Sequence, residues 1–387
     1  MNFIEEFRQN HTRSELRKLK SIQALRAIAA IAVMFAHLYG IEARQPDATP
    51  LLPGLIRYGM AGVDLFFVIS GFIMVWVAGD WQPGRSSSLA FLYARATRIY
   101  PTWWLFAGAL SVYFWITLGV PWDPAEVTPT QMSGAEHLIK SVFLIPQDIL
   151  PVLQLGWTLV HEMYFYLGFA LILLLPRAWR LPAMGAWASL IIAAIIAGHA
   201  RFHATTLLGL VFHPMSLEFL MGAAVGWVIK AGWTKYARPV LALGLIGLIS
   251  SIWTVNMLSI DQSLPVQRTL IIGTAAACVV YGLVALELRN GASRWAFPAL
   301  VRIGDWSYSL YLCHILVIAG VARLYYPVYG QETVAAKLGY LVLASLAAIA
   351  VAGLSYSLFE RPMIRVFRRW RPTQNLPPQS AQRRLAE

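Results

Sequence analysis

Two basic residues stand eleven positions apart in an apolar run near the start of the chain, Arg26 and His37 in RAIAAIAVMFAH. Eleven residues are about three helical turns, so in a helix the two side chains share one face, with a rise of about 16.5 Å between them. A neutral imidazole can accept a proton near neutral pH, since its unperturbed pKa is about 6.5. The spacing therefore predicts a base and a cation at opposite ends of one helix face.

Two carboxylates also lie inside apolar runs, Asp64 in GMAGVDLFFVISGFIMVW and Glu162 in LGWTLVHEMYFYLGFALILLL. Counted inward from the predicted outer boundary, both lie at nearly the depth of His37. One interpretation is that these polar groups only pair with each other between packed helices. Their coincident depth favours a functional layer of His37 with Glu162 or Asp64.

A second basic pair occurs in YARATRIYPTWW, where Arg95 and Arg98 are three residues apart and share a helix face. Together with Arg26 they predict a cluster that binds phosphate groups at the cytoplasmic side. The alternative is that they are ordinary basic residues flanking a membrane span.

The composition indicates a membrane protein, because 58% of the 387 residues are hydrophobic and only 13% are charged. Each apolar run must form a helix, since unpaired backbone groups are costly in lipid. The predicted fold class is all-α, a polytopic membrane protein with about ten transmembrane helices. The predicted spans are 21–40, 57–78, 98–119, 156–176, 182–199, 205–229, 239–258, 266–286, 304–323 and 336–358.

Lys and Arg are concentrated in alternate loops, which predicts that both termini face the cytoplasm. The net charge of +12 then reflects topology and attraction to anionic lipid, and no nucleic-acid site is inferred. No metal-ligand spacing occurs, so no metal is expected. The predicted organisation is a basic cytoplasmic segment at 1–20, a membrane domain at 21–362 and a basic tail without regular structure at 363–387.

Six blocks resemble the acyltransferase-3 family of integral membrane O-acyltransferases in order and spacing, and the similarity spans residues 21 to 362. They are SIQALRAIAAIAVMFAH, GVDLFFVISGF, ARATRIYP, WTLVHEMYFY, IGDWSYSLYLCH and YSLFERP. The chain looks like a bacterial member and is similar to the exopolysaccharide O-acetyltransferase branch. The chain stops soon after the core, so the hydrolase-like C-terminal domain of many relatives is expected to be absent.

The resemblance implies ten core helices in a bacterial inner membrane, with an acyl group, here expected to be acetyl, moving from cytoplasmic acyl-coenzyme A to a hydroxyl. The expected acceptor is a carbohydrate, an exopolysaccharide or its lipid-linked precursor. The lipid bilayer, the polysaccharide assembly machinery and a second copy of the chain are further expected partners. The expected cofactor-site residues are Arg26, Arg95, Arg98, Ser70, Gly71 and Phe72.

In the mechanism that this resemblance implies, His37 accepts the proton of the attacking hydroxyl, and Glu162 or Asp64 orients the imidazole. A covalent acyl intermediate on His37 or Ser70 is an alternative. Residues expected at the acceptor site or near the developing oxyanion are Trp157, Tyr164, Tyr166 and His314.

Two other functional classes fit the buried charges. A transporter or flippase for a glycolipid or acyl-bearing intermediate also places polar groups at matching depths, although no inverted repeat appears in the sequence. A membrane scaffold in a polysaccharide export complex would make the buried histidines and acids dispensable. Loss of acyl transfer on substitution of His37 distinguishes the enzyme from both.

Overall fold

The computed structural model describes most of the chain, and every regular element in the described part is helical. The described residues are 19–44, 50–198, 206–257, 265–291 and 295–372. Most of the predicted basic segment 1–20 and the tail beyond residue 372 lie outside them, and the sidedness of the termini stays a prediction.

Fifteen α-helices occur in the described residues. They are α1 (Lys20–Ala43), α2 (Ala61–Ala78), α3 (Arg85–Leu118), α4 (Pro124–Val127), α5 (Gly134–Phe143), α6 (Gly156–Ile172), α7 (Arg177–Ile196), α8 (Leu207–Val211), α9 (Ser216–Lys230), α10 (Ala237–Met257), α11 (Pro265–Arg268), α12 (Thr274–Asn290), α13 (Pro298–Tyr329), α14 (Val334–Ser355) and α15 (Arg361–Arg368). A 3-10 helix, Gly54–Met60, precedes α2, and π-helical turns, Thr269–Gly273 and Tyr356–Glu360, precede α12 and α15.

Seven segments in the described part of the chain are long and apolar enough to cross a membrane, which makes this a multi-pass membrane protein. They are Lys20–Ala43, Gly54–Ala78, Arg177–Ile196, Leu207–Lys230, Val266–Asn290, Pro298–Tyr329 and Val334–Arg368. The other three predicted spans, 98–119, 156–176 and 239–258, are also largely helical: α3 covers 98–118, α6 covers 156–172 and α10 covers 239–257. α3 begins at Arg85 rather than near residue 98, and α6 has only 17 residues.

The first two long helices, α1 and α2, run antiparallel and almost touch. A Cβ atom added at Gly59 would lie 2.2 Å from the carbonyl oxygen of Ala32, and one at Gly62 would lie 2.4 Å from that of Ala29. Only glycine allows backbones to approach this closely.

α13 runs parallel to α1, and the start of α1 is held in place. Gly304 of α13 faces the backbone of Gln23, where an added Cβ would lie 1.9 Å from the carbonyl oxygen. Glu287 of α12 accepts hydrogen bonds from the backbone N–H groups of Lys20 (2.9 Å) and Ser21 (2.8 Å), the first residues of α1. These contacts hold α1, the helix that carries Arg26 and His37, in position.

α3 and α6 run antiparallel, and the segment between them packs along α3. The backbone N–H of Gly84 donates to Leu173 at one end of the pair, and Gly156 lies against the ring of Trp103 at the other. The indole of Trp103 also donates to the carbonyl of Ser141 in α5, at 3.1 Å. The segment 120–155 therefore reaches a level only a few residues beyond Arg98.

The end of the described chain is more ordered than the sequence predicts. Residues predicted to start an irregular tail at 363 belong to α15, which follows α14 through the π-helical turn. The hydroxyl of Tyr93 in α3 donates to the carbonyl of Phe367, at 2.9 Å. This contact accounts for the helical order, because it attaches α15 to the membrane domain.

Candidate active site

Five helices, α1, α2, α3, α6 and α13, surround a cavity of about 280 Å³. Its lining includes four charged residues from the predicted site: Arg26, Arg95, Arg98 and Glu162. Ser70 and Tyr166 from the predicted set also line it. The structure thus brings together, from three helices, the residues of the predicted basic cluster and one of the two predicted carboxylates.

None of the three guanidinium groups in the cavity forms an ion pair within 4 Å with another described residue. Arg95 lies over the rings of Phe91 and Tyr166, with its Cζ atom 5.3 and 5.5 Å from the ring centroids. Its Nε atom is buried and has no hydrogen-bond partner in the described part of the chain. Because a buried charge without a counter-ion costs several kcal/mol, the cluster favours a bound anion.

Glu162 is the one carboxylate among the lining residues, and it is held by two hydroxyl groups. The Oγ atom of Ser70 donates to its Oε1 atom at 2.9 Å, and the hydroxyl of Tyr166 donates to the same oxygen. One anion therefore faces three cations, and the cavity keeps an excess of positive charge.

The predicted depth of Glu162 is wrong. Gly62 of α2 lies beside Ala29 of α1, and Ser70 is eight residues further along α2, about 12 Å nearer the end where α1 begins. Glu162, bonded to Ser70, consequently lies at the arginine end of the cavity and not in a layer with His37. The depth was predicted by counting residues inward from the outer boundary of the membrane. That count failed because α6 begins inside the bundle and not at this boundary.

Asp64 is also not a partner of His37. Arg268 donates to it from Nε, at 2.8 Å to Oδ1, and from Nη2, at 2.7 Å to Oδ2. Asp64 is fully buried, and Glu218 beside this pair accepts from the hydroxyl of Thr269 at 3.1 Å. The arrangement is a buried ion pair that joins α2 to α11, apart from the residues that line the cavity.

His37 is paired with a second histidine instead of a carboxylate. The Nε2 atom of His314 lies 3.3 Å from the Nδ1 atom of His37, and the ring centroids are 5.0 Å apart. The Nδ1 atom of His37 lies 2.9 Å from the carbonyl oxygen of Val33, and that of His314 lies 3.0 Å from Leu310. Since a carbonyl oxygen only accepts, each neutral ring carries its proton on Nδ1, which leaves Nε2 of His37 as a basic nitrogen.

Tyr311 connects the histidine pair to the cavity. Its ring lines the cavity and lies 6.0 Å, centroid to centroid, from that of His314. Its hydroxyl is 2.9 Å from Oγ1 of Thr158, another lining residue. Sequence reasoning missed both residues, although Tyr311 stands one turn before His314 in the SYSLYLCH block, a spacing that places both side chains on one helix face.

Four other predicted site residues do not line the cavity. An added Cβ at Gly71 would lie 1.9 Å from the carbonyl oxygen of Phe219, so Gly71 allows the close crossing of α2 and α9. Phe72 is fully buried and stacks on Trp76. Trp157 packs edge-on against His161, and Tyr164 packs against Trp187. These residues hold the helices that carry the site.

Comparison with known proteins gives one family. The acyltransferase-3 family model, described as an acyltransferase domain, matches residues 19–360. An exopolysaccharide production protein, ExoZ, of Rhizobium meliloti (strain 1021) is 33% identical over 84% of this chain and 95% of its own length. The acyltransferase MdmB of Streptomyces mycarofaciens is 28% identical over 93% of this chain and 95% of its own.

A third relative, nodulation protein 10 of Rhizobium leguminosarum bv. viciae, is 25% identical over 88% of this chain and 92% of its own length. No solved structure matches the chain significantly. The similarity to all three relatives extends over most of both chains, so it concerns the membrane domain as a whole.

Proposed function

The chain belongs to the acyltransferase-3 family and is a membrane O-acyltransferase, and from that premise we propose that it transfers an acetyl group from acetyl-coenzyme A to a carbohydrate hydroxyl. The observation that carries the proposal is the meeting of Arg26, Arg95 and Arg98, without an ion pair to another described residue, in one cavity. Transporters and scaffolds do not need such a cation cluster about three helical turns from a bare imidazole nitrogen.

The donor lies with its phosphates toward the arginines. Coenzyme A carries a diphosphate and a 3′-phosphate on its nucleotide, and guanidinium groups bind such anions bidentately. The volume of the cavity, about 280 Å³, is slightly below the volumes of sites that bind drug-sized ligands, which are roughly 300–1,000 Å³. It therefore holds part of the donor, with the thin pantetheine arm directed toward Tyr311.

His37 acts as the general base. Its Nε2 atom takes the proton of the acceptor hydroxyl as the hydroxyl oxygen attacks the thioester carbonyl. The C–S bond then breaks, and the imidazolium returns the proton to the departing thiolate, which gives an ester and free coenzyme A. Tyr311 and Thr158 supply hydroxyl donors for the oxyanion that forms between these steps.

The acceptor is a surface polysaccharide or its lipid-linked precursor. The support is the relative named as an exopolysaccharide production protein, together with the position of His37 toward the opposite end of α1 from Arg26. Eleven residues of continuous helix separate the two side chains by about 16.5 Å, a length suited to the arm of the donor. In this arrangement the donor enters from the cytoplasmic side of the inner membrane and the acceptor from the other side.

The test uses the purified full-length chain, labelled acetyl-CoA and polysaccharide from a strain that lacks the gene. We expect label to pass to the polysaccharide, and we expect His37→Gln to abolish transfer while coenzyme A still binds. His137→Gln, a buried histidine in α5 that does not line the cavity, is the matched control and keeps activity. Unchanged transfer by His37→Gln would remove His37 from the mechanism, and no transfer by the wild type would refute the proposed reaction.

A further inference from the structure

Besides Arg95, two polar side chains in the cavity have a buried atom without a hydrogen-bond partner in the described part of the chain. These atoms are the amide oxygen Oε1 of Gln23 in α1 and the hydroxyl oxygen of Ser307 in α13. Both residues line the cavity, and Ser307 is fully buried. Since buried polar atoms in folded proteins are nearly always hydrogen-bonded, partners for these two atoms are expected inside the cavity.

Both side chains lie toward the end of the cavity at which α1 begins. Gly304 of α13 packs against the backbone of Gln23, and the two helices run parallel. Ser307 is about one turn after Gly304 and is therefore level with Arg26. Gln23 is about one turn nearer the start of α1 than Arg26, and the rise from it to His37 is about 21 Å. Gln23 thus lies on the opposite side of Arg26 from the base.

The position of Gln23 determines which part of the donor can reach it. With the phosphates at the arginines and the pantetheine arm directed toward Tyr311, the adenosine end of coenzyme A points toward Gln23. An ionised phosphate cannot satisfy the Gln23 amide oxygen, because both groups only accept hydrogen bonds. Adenine can, since its 6-amino group donates and a neighbouring ring nitrogen accepts, and a glutamine amide pairs with both.

Apolar side chains of α2 provide a surface for the faces of such a ring. Gly62 of α2 lies beside Ala29 of α1, where the two helices run antiparallel. Ile69, seven residues after Gly62, is therefore about level with Gln23. Ile69 and Ile73, which is about one turn further along α2, both line the cavity. An amide beside an apolar surface fits a ligand with a polar edge and apolar faces, and a nucleobase has this character.

We propose that the side-chain amide of Gln23 binds the adenine of the donor nucleotide, and that the hydroxyl of Ser307 donates to the phosphates beside Arg26. The inference rests on the proposed use of acetyl-coenzyme A and adds a base specificity to it. Gln23 determines which base the site accepts, whereas Ser307 contributes to affinity alone. Ordered water also satisfies buried polar atoms, so the test separates water from the ligand.

The experiment measures the affinity of the purified full-length chain for coenzyme A and for its purine analogue, which lacks only the 6-amino group. Loss of this donor leaves the amide oxygen of Gln23 unsatisfied in the complex, so the wild type should bind coenzyme A roughly 5- to 150-fold more tightly than the analogue. In Gln23→Leu, which has a side chain of similar size without an amide, this preference should fall to near unity. Ser307→Ala should weaken both ligands equally, by about tenfold, and keep the preference.

The matched control is Gln331→Leu. Gln331 also has a buried amide oxygen without a partner in the described residues, but it follows α13 and is not among the residues that line the cavity. This variant should bind both ligands as the wild type does. Equal affinity of the wild type for the two ligands would overturn the adenine site without any variant. A preference that persists in Gln23→Leu would assign the base to another acceptor, such as Glu162, and would overturn it as well.

The outcomes separate this inference from the proposed function. Wild-type protein that transfers acetyl but binds the purine analogue as tightly as coenzyme A would refute the adenine site alone. Wild-type protein that prefers coenzyme A but transfers no acetyl would refute the reaction and support the adenine site. Wild-type protein that binds neither ligand would overturn both. Size-exclusion profiles and unfolding temperatures of the variants establish that each comparison is made on folded protein.

Discussion

The Nε2 atom of His314 faces the Nδ1–H group of His37 at 3.3 Å, and His314 is fully buried. The Nδ1–H group of His37 is thus shared between the carbonyl oxygen of Val33, at 2.9 Å, and a second imidazole on the parallel helix α13, whereas a carboxylate serves in Ser-His-Asp triads. A neutral acceptor orients the ring without placing a permanent negative charge in the membrane interior. The same contact becomes stronger when His37 is protonated, because hydrogen bonds from charged donors are stronger.

The first prediction concerns this pair. His314→Gln keeps an oxygen that can accept from the Nδ1–H group of His37, whereas His314→Met has similar length and no comparable acceptor. We expect His314→Met to lower kcat roughly 10- to 100-fold, as loss of an orienting partner does elsewhere, with little change in KM for acetyl-CoA. His314→Gln should retain a larger part of kcat. Equal losses in the two variants would mean that His314 only fills space.

The second prediction concerns Glu162, which supplies the only negative charge among the residues that line the cavity. Glu162→Gln keeps an oxygen to accept from Ser70 and Tyr166 but removes the charge. Coenzyme A should then bind roughly tenfold more tightly at low salt, since repulsion between carboxylate and phosphate is gone. Titration calorimetry at several salt concentrations measures this, and the gain should shrink as salt increases. Weaker binding would indicate that the carboxylate itself contacts the donor.

The third prediction concerns the crossing of α2 and α9. Gly71→Ala places a Cβ atom 1.9 Å from the carbonyl oxygen of Phe219, which forces the helices apart. Overpacking of this kind costs about 1–3 kcal/mol, so the unfolding temperature and the yield of folded protein should fall. Gly108→Ala in α3 has nothing within 4 Å of its added Cβ and serves as the control. A stable Gly71→Ala variant with weak coenzyme A binding would instead support the predicted role of Gly71 in the cofactor site.

Features within one helix were predictable from the sequence. Arg26 and His37 lie on one uninterrupted helix, and Arg95 and Arg98 share a helix with a fixed three-residue spacing. Helical geometry alone sets these relationships, because the rise and rotation per residue are constant. The convergence of Arg26 with the α3 pair also followed, since buried cations accumulate where a ligand can neutralise them.

Relative heights of different helices were not predictable. A hydropathy run gives the length of a helix but not its starting level, and α6 starts where Gly156 meets Trp103, inside the bundle. The pairing of side chains far apart in the sequence was also not predictable. Asp64 and Arg268 are 204 residues apart, and His37 and His314 are 277 residues apart. Such contacts depend on which helices become neighbours, and no local pattern specifies that.

The last prediction separates a structural role of Asp64 from a catalytic one. Asp64→Asn leaves the guanidinium of Arg268 buried without its counter-ion, and breaking a buried pair costs about 3–5 kcal/mol. The unfolding temperature should fall clearly, whereas acetyl transfer per folded molecule should stay near the wild-type rate. The double variant Asp64→Asn/Arg268→Gln removes the stranded charge, so it should recover part of the lost stability. If Asp64→Asn is as stable as the wild type but inactive, the carboxylate takes part in the reaction, and the ion pair is not its main role.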